Sequence, residues 1–217
     1  MPSIFKYSER VWSDLLLEEG GVRIGTLFDY RRSEHKAGIS DSVEGKKTVS
    51  HDINAYSTKG RSGIDHESIK SLAPFKIPPS ADISLRNVRF TKEFNARDCF
   101  IHCTSFALSR NVLEQFGSAD SCVEIHKPAA FYRHITAIIN RITPVHFYGY
   151  RKVVYGDRNE KFNGEGLGLR PDLIKGLEFS AQCEVRAIWL PKSRKVIKPF
   201  NLKDRSLIKF CRHAELE

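Results

Sequence analysis

"FSAQCEVRAIWLP", residues 179–191, decides how the rest of the chain is read. The segment reads as a buried strand, and successive strand side chains point to opposite sides. Val185, Ala187 and Trp189 then form one apolar face, while Glu184, Arg186 and Ile188 form the other. A carboxylate and a guanidinium side by side on that second face have two readings. Either they serve a site, or they are a half-exposed intrastrand ion pair of small value.

Working outward from it, the chain alternates strands and helices. "KPAAFYRHITAIINRI" (127–142) reads as a long helix with Pro128 in its first turn, and "SCVEIH" (121–126) before it as a strand. "DCFIHCTSFAL" (98–108) is a strand apolar on both faces, as in the middle of a sheet, and "SRNVLEQFG" (109–117) a short helix stopped by Gly117. At the start, "SIFKY" is a strand, Ser8 is placed to cap the helix "ERVWSDLLLEE", and Gly20-Gly21 stop it. "VRIGTLFDY" is a second strand, followed by the polar loop "RRSEHKAGISDSVEGKKT".

Residues 51–82 are turn-rich, and "LAPFKIPPSAD" carries three prolines, so an irregular excursion is expected there. "SLRNVRF" reads as a strand, "VHFYGYRKVVYGD" as one or two, and "RPDLIKGLEFS" (170–180) as a helix. The glycine-rich "GEGLG" (164–168) lacks the lysine-serine ending of a phosphate loop and is a flexible loop.

The 217 residues are enough for a sizeable core, and one domain, 1–217, with an irregular insertion near 51–90, is the simplest organisation. A hydrophobic share of 41% and an aromatic share of 11% exclude a disordered chain. No apolar run approaches the roughly 18–20 residues that span a bilayer, and Met1–Lys6 has no signal-peptide core, so the expected compartment is the cytoplasm. Five cysteines, four beside apolar stretches, read as small buried hydrophobes. Cys99, Cys103, His102 and His126 lack a C-x-x-C pair, and no metal is expected. The net charge of +9 is spread along the chain. Such a surface attracts polyanions or simply keeps the protein in solution.

Taken in order, "FKYSERVWSDLLLEEGGVRIGTLFDYR", "DSVEG", "CFIHCTSFALSRNVLEQFGSADSCVEIH", "VVYGD" and "CEVRAIW" resemble a family of bacterial and phage proteins related to the ADP-ribosyltransferase fold. That family's pattern is a lysine-tyrosine first strand, an Asn-Asp-x-x-Glu loop, a C-x-S strand and a late Glu-x-Arg strand. The resemblance covers most of the chain apart from residues 51–90. Ser40-Asp41 stands in place of Asn-Asp, and "LEQFG" in place of a Trp-x-x-Tyr helix.

The resemblance implies an α+β fold with an ADP-ribosyltransferase-like split mixed β-sheet core and flanking helices. It implies an NAD-dependent ADP-ribosyltransferase or NAD glycohydrolase, a toxin or phage-defence effector acting on RNA, DNA or protein. The alternative is a non-catalytic basic nucleic-acid-binding protein of the same fold. Breaking the nicotinamide–ribose bond develops positive charge on the ribose, and a fixed carboxylate stabilises it. Glu184 is the expected carboxylate. Lys6, Tyr7, Arg23, Thr104, Ser105 and Arg186 are the expected NAD contacts, with Lys6 holding a phosphate or Tyr7 stacking. Because Lys6 and Tyr7 point to opposite faces, only one of them is expected to line the cleft. Arg23 and Arg31 with Asp41 and Glu44 form either a charged rim or solvated loop charges. His102 faces away from Ser105, which disfavours a serine–histidine pairing.

Overall fold

The computed structural model of the chain describes residues 2–31, 41–60 and 62–216, so Ser40 of the acidic loop lies outside the described residues. The elements in order are β1 (Ile4–Ser8), α1 (Arg10–Glu19), β2 (Gly21–Thr26), β3 (Lys46–Ser57), α2 (Gly63–Leu72), β4 (Ser84–Asn95), β5 (Phe100–Ser105), α3 (Arg110–Glu114), β6 (Ser121–Ile125), α4 (Pro128–Ile142), β7 (Val145–Lys152), β8 (Val154–Tyr155), β9 (Asn159–Lys161), β10 (Ile174–Lys175), β11 (Glu184–Pro191), β12 (Phe200–Lys203) and β13 (Cys211–His213). This is a mixed α+β chain. It forms two compact units, one of Met1–Glu44, Arg97–Tyr155 and Lys175–Glu217, the other of Gly45–Ala96 and Gly156–Ile174.

The first unit is built on an eight-stranded sheet in the order β12-β2-β5-β1-β6-β13, with β11 on β5 and β7 on β11. Helix α4 covers it. Phe131, Ile135 and Ile139 recur every four residues, which puts them on one face of a helix, and all three are fully buried beside Trp189 and Ala187. The Trp189 indole N–H, which would be costly to bury unpaired, donates to Thr136 Oγ1 at 2.7 Å. Helix α1 ends as its sequence demands: Gly20 takes φ 68°, and its N–H returns to the carbonyls of Leu15 and Leu16. Its start differs from expectation. Glu9 holds the capping position without a side-chain capping bond, and Ser8 closes β1 with its hydroxyl 2.9 Å from that of Ser13.

Strand β5 positions the site. Along one edge it pairs with β11 in full, from Glu184↔Ser105 to Trp189↔Phe100. Its other edge is shared. β2 pairs with it at Phe100 and Ile101, and β1 pairs with it at Ser105 through Phe5. Neither strand pairs with His102–Thr104, so the sheet is split there, and the backbone along that stretch needs other partners. Lys6 supplies one: its ammonium donates to the Cys103 carbonyl at 3.0 Å.

The second unit corrects the reading of residues 51–82 as irregular. β3 and β4 pair antiparallel from Lys46↔Asn95 to Ser57↔Ser84, and β9 joins β3 in parallel. Helix α2 packs Ile69 and Leu72 onto Val49, Ile53, Tyr56 and Phe90. The inward phase of the strands changes between Ile53 and Tyr56 and between Val88 and Leu85. Asn87 sits at that change with φ 50°, a conformation that asparagine tolerates better than most residues. Among the described residues the long irregular stretch is the proline-bearing Ala73–Ile83, as its composition predicts. The helix expected over 170–180 is also corrected. Two 3-10 turns, Pro171–Leu173 and Leu177–Gln182, flank the short strand β10, because Gly176 separates the apolar residues that suggested a single helix. The "GEGLG" stretch is a series of bends with positive φ at Gly164, Gly166 and Gly168, and Lys47 donates to the Leu167 carbonyl inside it. No helix among the described residues is long and apolar enough to cross a membrane.

Candidate functional site

In the first unit, a cavity of about 640 Å³ opens where β1 and β2 part over β5. Glu184, Arg186, Lys6, Ser105, Thr104, Arg23 and Tyr7 all border it, so the seven residues selected from the sequence surround one space.

At its floor lies a network of four charges. Arg186 donates from Nε to Glu184 Oε1 at 2.6 Å and from its two terminal nitrogens to Glu44 at 2.7 and 2.8 Å. Lys175 Nζ donates to Glu184 Oε2 at 3.0 Å and to Gln182 Oε1 at 2.8 Å, and lies 4.6 Å from the centre of the Phe179 ring. Glu184, Arg186, Glu44 and Lys175 are each at most 5% exposed. Two carboxylates against two cations leave no net charge, which is the condition under which such burial is tolerable. The reading of Glu184 and Arg186 as a half-exposed pair is therefore corrected. Burial favours protonation of Glu184, but Arg186 and Lys175 outweigh it and hold the carboxyl below the ordinary carboxylate range. For Arg186, burial opposes the charge, and Glu184 and Glu44 reverse that effect and raise its pKa.

The hydroxyls of Ser105 and Thr104, which leave β5 on opposite faces, both reach the backbone at the start of β11. Ser105 Oγ donates to the Cys183 carbonyl at 3.3 Å and accepts from the Ala107 N–H at 3.1 Å. Thr104 Oγ1 donates to the Val185 carbonyl at 3.3 Å. Both fix the start of β11 and with it the position of Glu184, whose own N–H donates to Tyr155 Oη at 2.7 Å. His102 lies on the other face of β5, its Nδ1 3.2 Å from Tyr132 Oη. Burial, with Lys6 nearby, drives its pKa well below the ordinary value, so it is a neutral core residue.

Lys6 and Tyr7 leave β1 on opposite faces, yet both border the cavity, against the expectation that only one would. The edge of β1 that faces the gap pairs with β5 only at Phe5, so the space meets this strand edge-on. Tyr7 Oη donates to the Ala107 carbonyl at 2.8 Å and accepts from Ser109 N at 2.9 Å, and its ring stacks 6.1 Å from that of Phe116. Desolvation pushes the Lys6 ammonium down, with Cys103 and Glu184 opposing. No carboxylate among the described residues lies within ion-pair distance of Lys6. Arg23 pairs with Asp29 at 2.9 Å while remaining 55% exposed. Trp12, 55% exposed on α1, adds an open aromatic surface.

Residues that the sequence reading passed over complete the floor. Lys175 fell inside the supposed helix, Gln182 fell inside the segment 179–191 read as a strand, and Glu44 was weighed only as a rim or solvated charge. Cys103, between Lys6 and Arg186, has its thiol pushed up to about 12 by burial and by Glu184. Among the described residues no cluster of three or more His, Cys, Asp or Glu is arranged to hold a metal ion. No family model, curated protein or solved structure matches this chain.

Proposed function

We propose that the first unit is an ADP-ribosyltransferase-like domain that binds NAD in the split of its sheet and breaks the nicotinamide–ribose bond. The observation that carries this reading is the Glu184 carboxylate, held ionised at the floor of a cavity that opens where β1 and β2 separate over β5. The volume suits a ligand of dinucleotide class. Lys6, a cation without a carboxylate partner among the described residues, faces a phosphate, and Trp12 and the Tyr7–Phe116 stack offer aromatic surfaces for the ring systems. Arg23 adds a second positive group at the opening. Ser105, Thr104 and Arg186 fix Glu184 in place, so that no reorganisation is needed when positive charge develops on the ribose. Nicotinamide leaves with the bonding electron pair, and the ribose carbon is taken by water or by an acceptor. The net charge of +9 favours a nucleic-acid acceptor, with a protein acceptor as the other class, in a toxin or phage-defence effector.

A second reading has its own observation. Both oxygens of Glu184 already accept from Arg186 and Lys175, which favours a fold that keeps its charge network and binds polyanions without chemistry. One experiment separates the two. Purified protein is incubated with labelled NAD and mixed RNA, DNA and protein, and the assay is repeated with Glu184→Gln. Release of nicotinamide or labelling of an acceptor that disappears in the folded variant supports cleavage. Salt-sensitive polyanion binding with no NAD turnover in either protein sinks the enzymatic reading.

A further inference from the structure

The second unit contains a cavity of its own, about 310 Å³, bordered by Tyr56 and Thr58 of the β3 end, His66, Ile69 and Lys70 of α2, and the segment Phe75–Ile77. We propose that it is a binding site for a planar aromatic anion, such as an aryl carboxylate or aryl phosphate, independent of the reading of the first unit.

Three features carry this. The first is charge: Lys70 and Lys76 border the space and no carboxylate among the described residues does. Lys70 is engaged by Glu67 at 2.9 Å, whereas Lys76 forms no ion pair with a described residue. The second is a polar pair aimed by the fold. Tyr56 Oη lies 2.7 Å from His66 Nδ1, and the two rings are stacked at 15° with centres 6.0 Å apart. If the phenol donates, the imidazole carries its proton on Nε2. If Nδ1 donates, the phenol hydrogen is the one left over. Either tautomer leaves one donor unspent, which an acceptor oxygen satisfies. The third is shape: Ile69 gives an apolar floor, and Phe75, 46% exposed, offers a ring held edge-on by Phe90 at 6.0 Å. A small apolar pocket with a few convergent donors and cations selects a flat hydrophobic body with a negative end.

The phase change at Asn87 is what makes this arrangement. Without it, strict alternation from Ile53 would turn Tyr56 away from α2.

The probes are 1-naphthoate and 1-naphthamide, which share a ring system and differ in charge, titrated into the full-length protein with labelled histidine and followed by NMR. His66→Gln assigns the His66 resonance. Naphthoate is expected to shift that resonance saturably, with affinity about tenfold weaker in Lys76→Met and falling with added salt. Naphthamide is expected to bind at least about tenfold more weakly. Lys76 is exposed, so its variant folds irrespective of the site, and Glu184→Gln is expected to bind naphthoate unchanged. Equal binding of both probes, failure of naphthoate to move His66, or indifference to Lys76→Met each overturns the proposal.

Discussion

Arg186 and Glu44, 142 positions apart in sequence, are joined by two hydrogen bonds of 2.7 and 2.8 Å, each terminal guanidinium nitrogen donating to a different carboxylate oxygen. The acidic loop is thereby tied to the strand that carries Glu184. Replacing Arg186 by Met leaves two carboxylates buried without their shared cation, and is expected to lower stability by about 3–5 kcal/mol. Adding Glu44→Gln should then cost less than it does in the wild type, with a coupling of about 0.5–3 kcal/mol in a double-mutant cycle measured by urea unfolding. Strict additivity would show that the two residues are not partners.

Acid should act through Glu184. Its folded pKa lies below the ordinary 4.5 because Arg186 and Lys175 outweigh the effect of burial. Its stabilisation is therefore complete above about pH 5 and is lost as pH falls below 4.5, where the unfolded chain takes up the proton that the folded chain refuses. The stability gap between wild type and Glu184→Gln should be flat near neutrality and shrink in acid. Parallel urea midpoints from pH 7 to pH 3 would contradict this.

The five cysteines form no disulfide and differ in exposure. Burial pushes the thiols of Cys103, Cys122 and Cys211 up to about 12. Since the thiolate is the nucleophile, these should resist iodoacetamide at pH 8, while Cys183, whose side chain reaches solvent, reacts about tenfold faster or more. Peptide mass spectrometry of the native protein reads the order, and early labelling of Cys103 would refute it.

At Gly20, φ is 68° and a β-carbon would run into the Asp204 carbonyl, to which no flexible side chain can yield. Gly20→Ala is expected to destabilise by about 2–4 kcal/mol, combining left-handed strain with a forced backbone shift. Gly117, where a β-carbon meets nothing within 4 Å, is the control, and its alanine variant should stay within about 0.5 kcal/mol of wild type.

Elements whose side chains declare a period were legible in the sequence: α4 through Phe131, Ile135 and Ile139, and β11 through the opposition of Ala187 and Trp189 to Glu184 and Arg186. β3 was missed because polar residues occupy its outward positions and the turn-forming "STKGRSG" follows directly. Yet Val49 and Ile53 keep the alternation that could have revealed it. The supposed helix over 170–180 failed for the opposite reason, since Leu173, Ile174 and Leu177 mimic helical spacing around a glycine. In the site, Glu184 and Arg186 could be picked out by face, whereas Lys6, Tyr7, Arg23, Thr104 and Ser105 were implied only by the family resemblance. The partners Lys175 and Glu44 could not be picked out, because which loop charge meets which strand charge depends on contacts between distant segments.

The balanced tetrad on the floor of the cavity also bears on how this unit responds to heat. The penalty for stripping water from ions shrinks on warming, whereas the gain from apolar burial levels off. The hold of Glu44, Arg186, Glu184 and Lys175 on one another should therefore count for more in a warm cell than in a cold one.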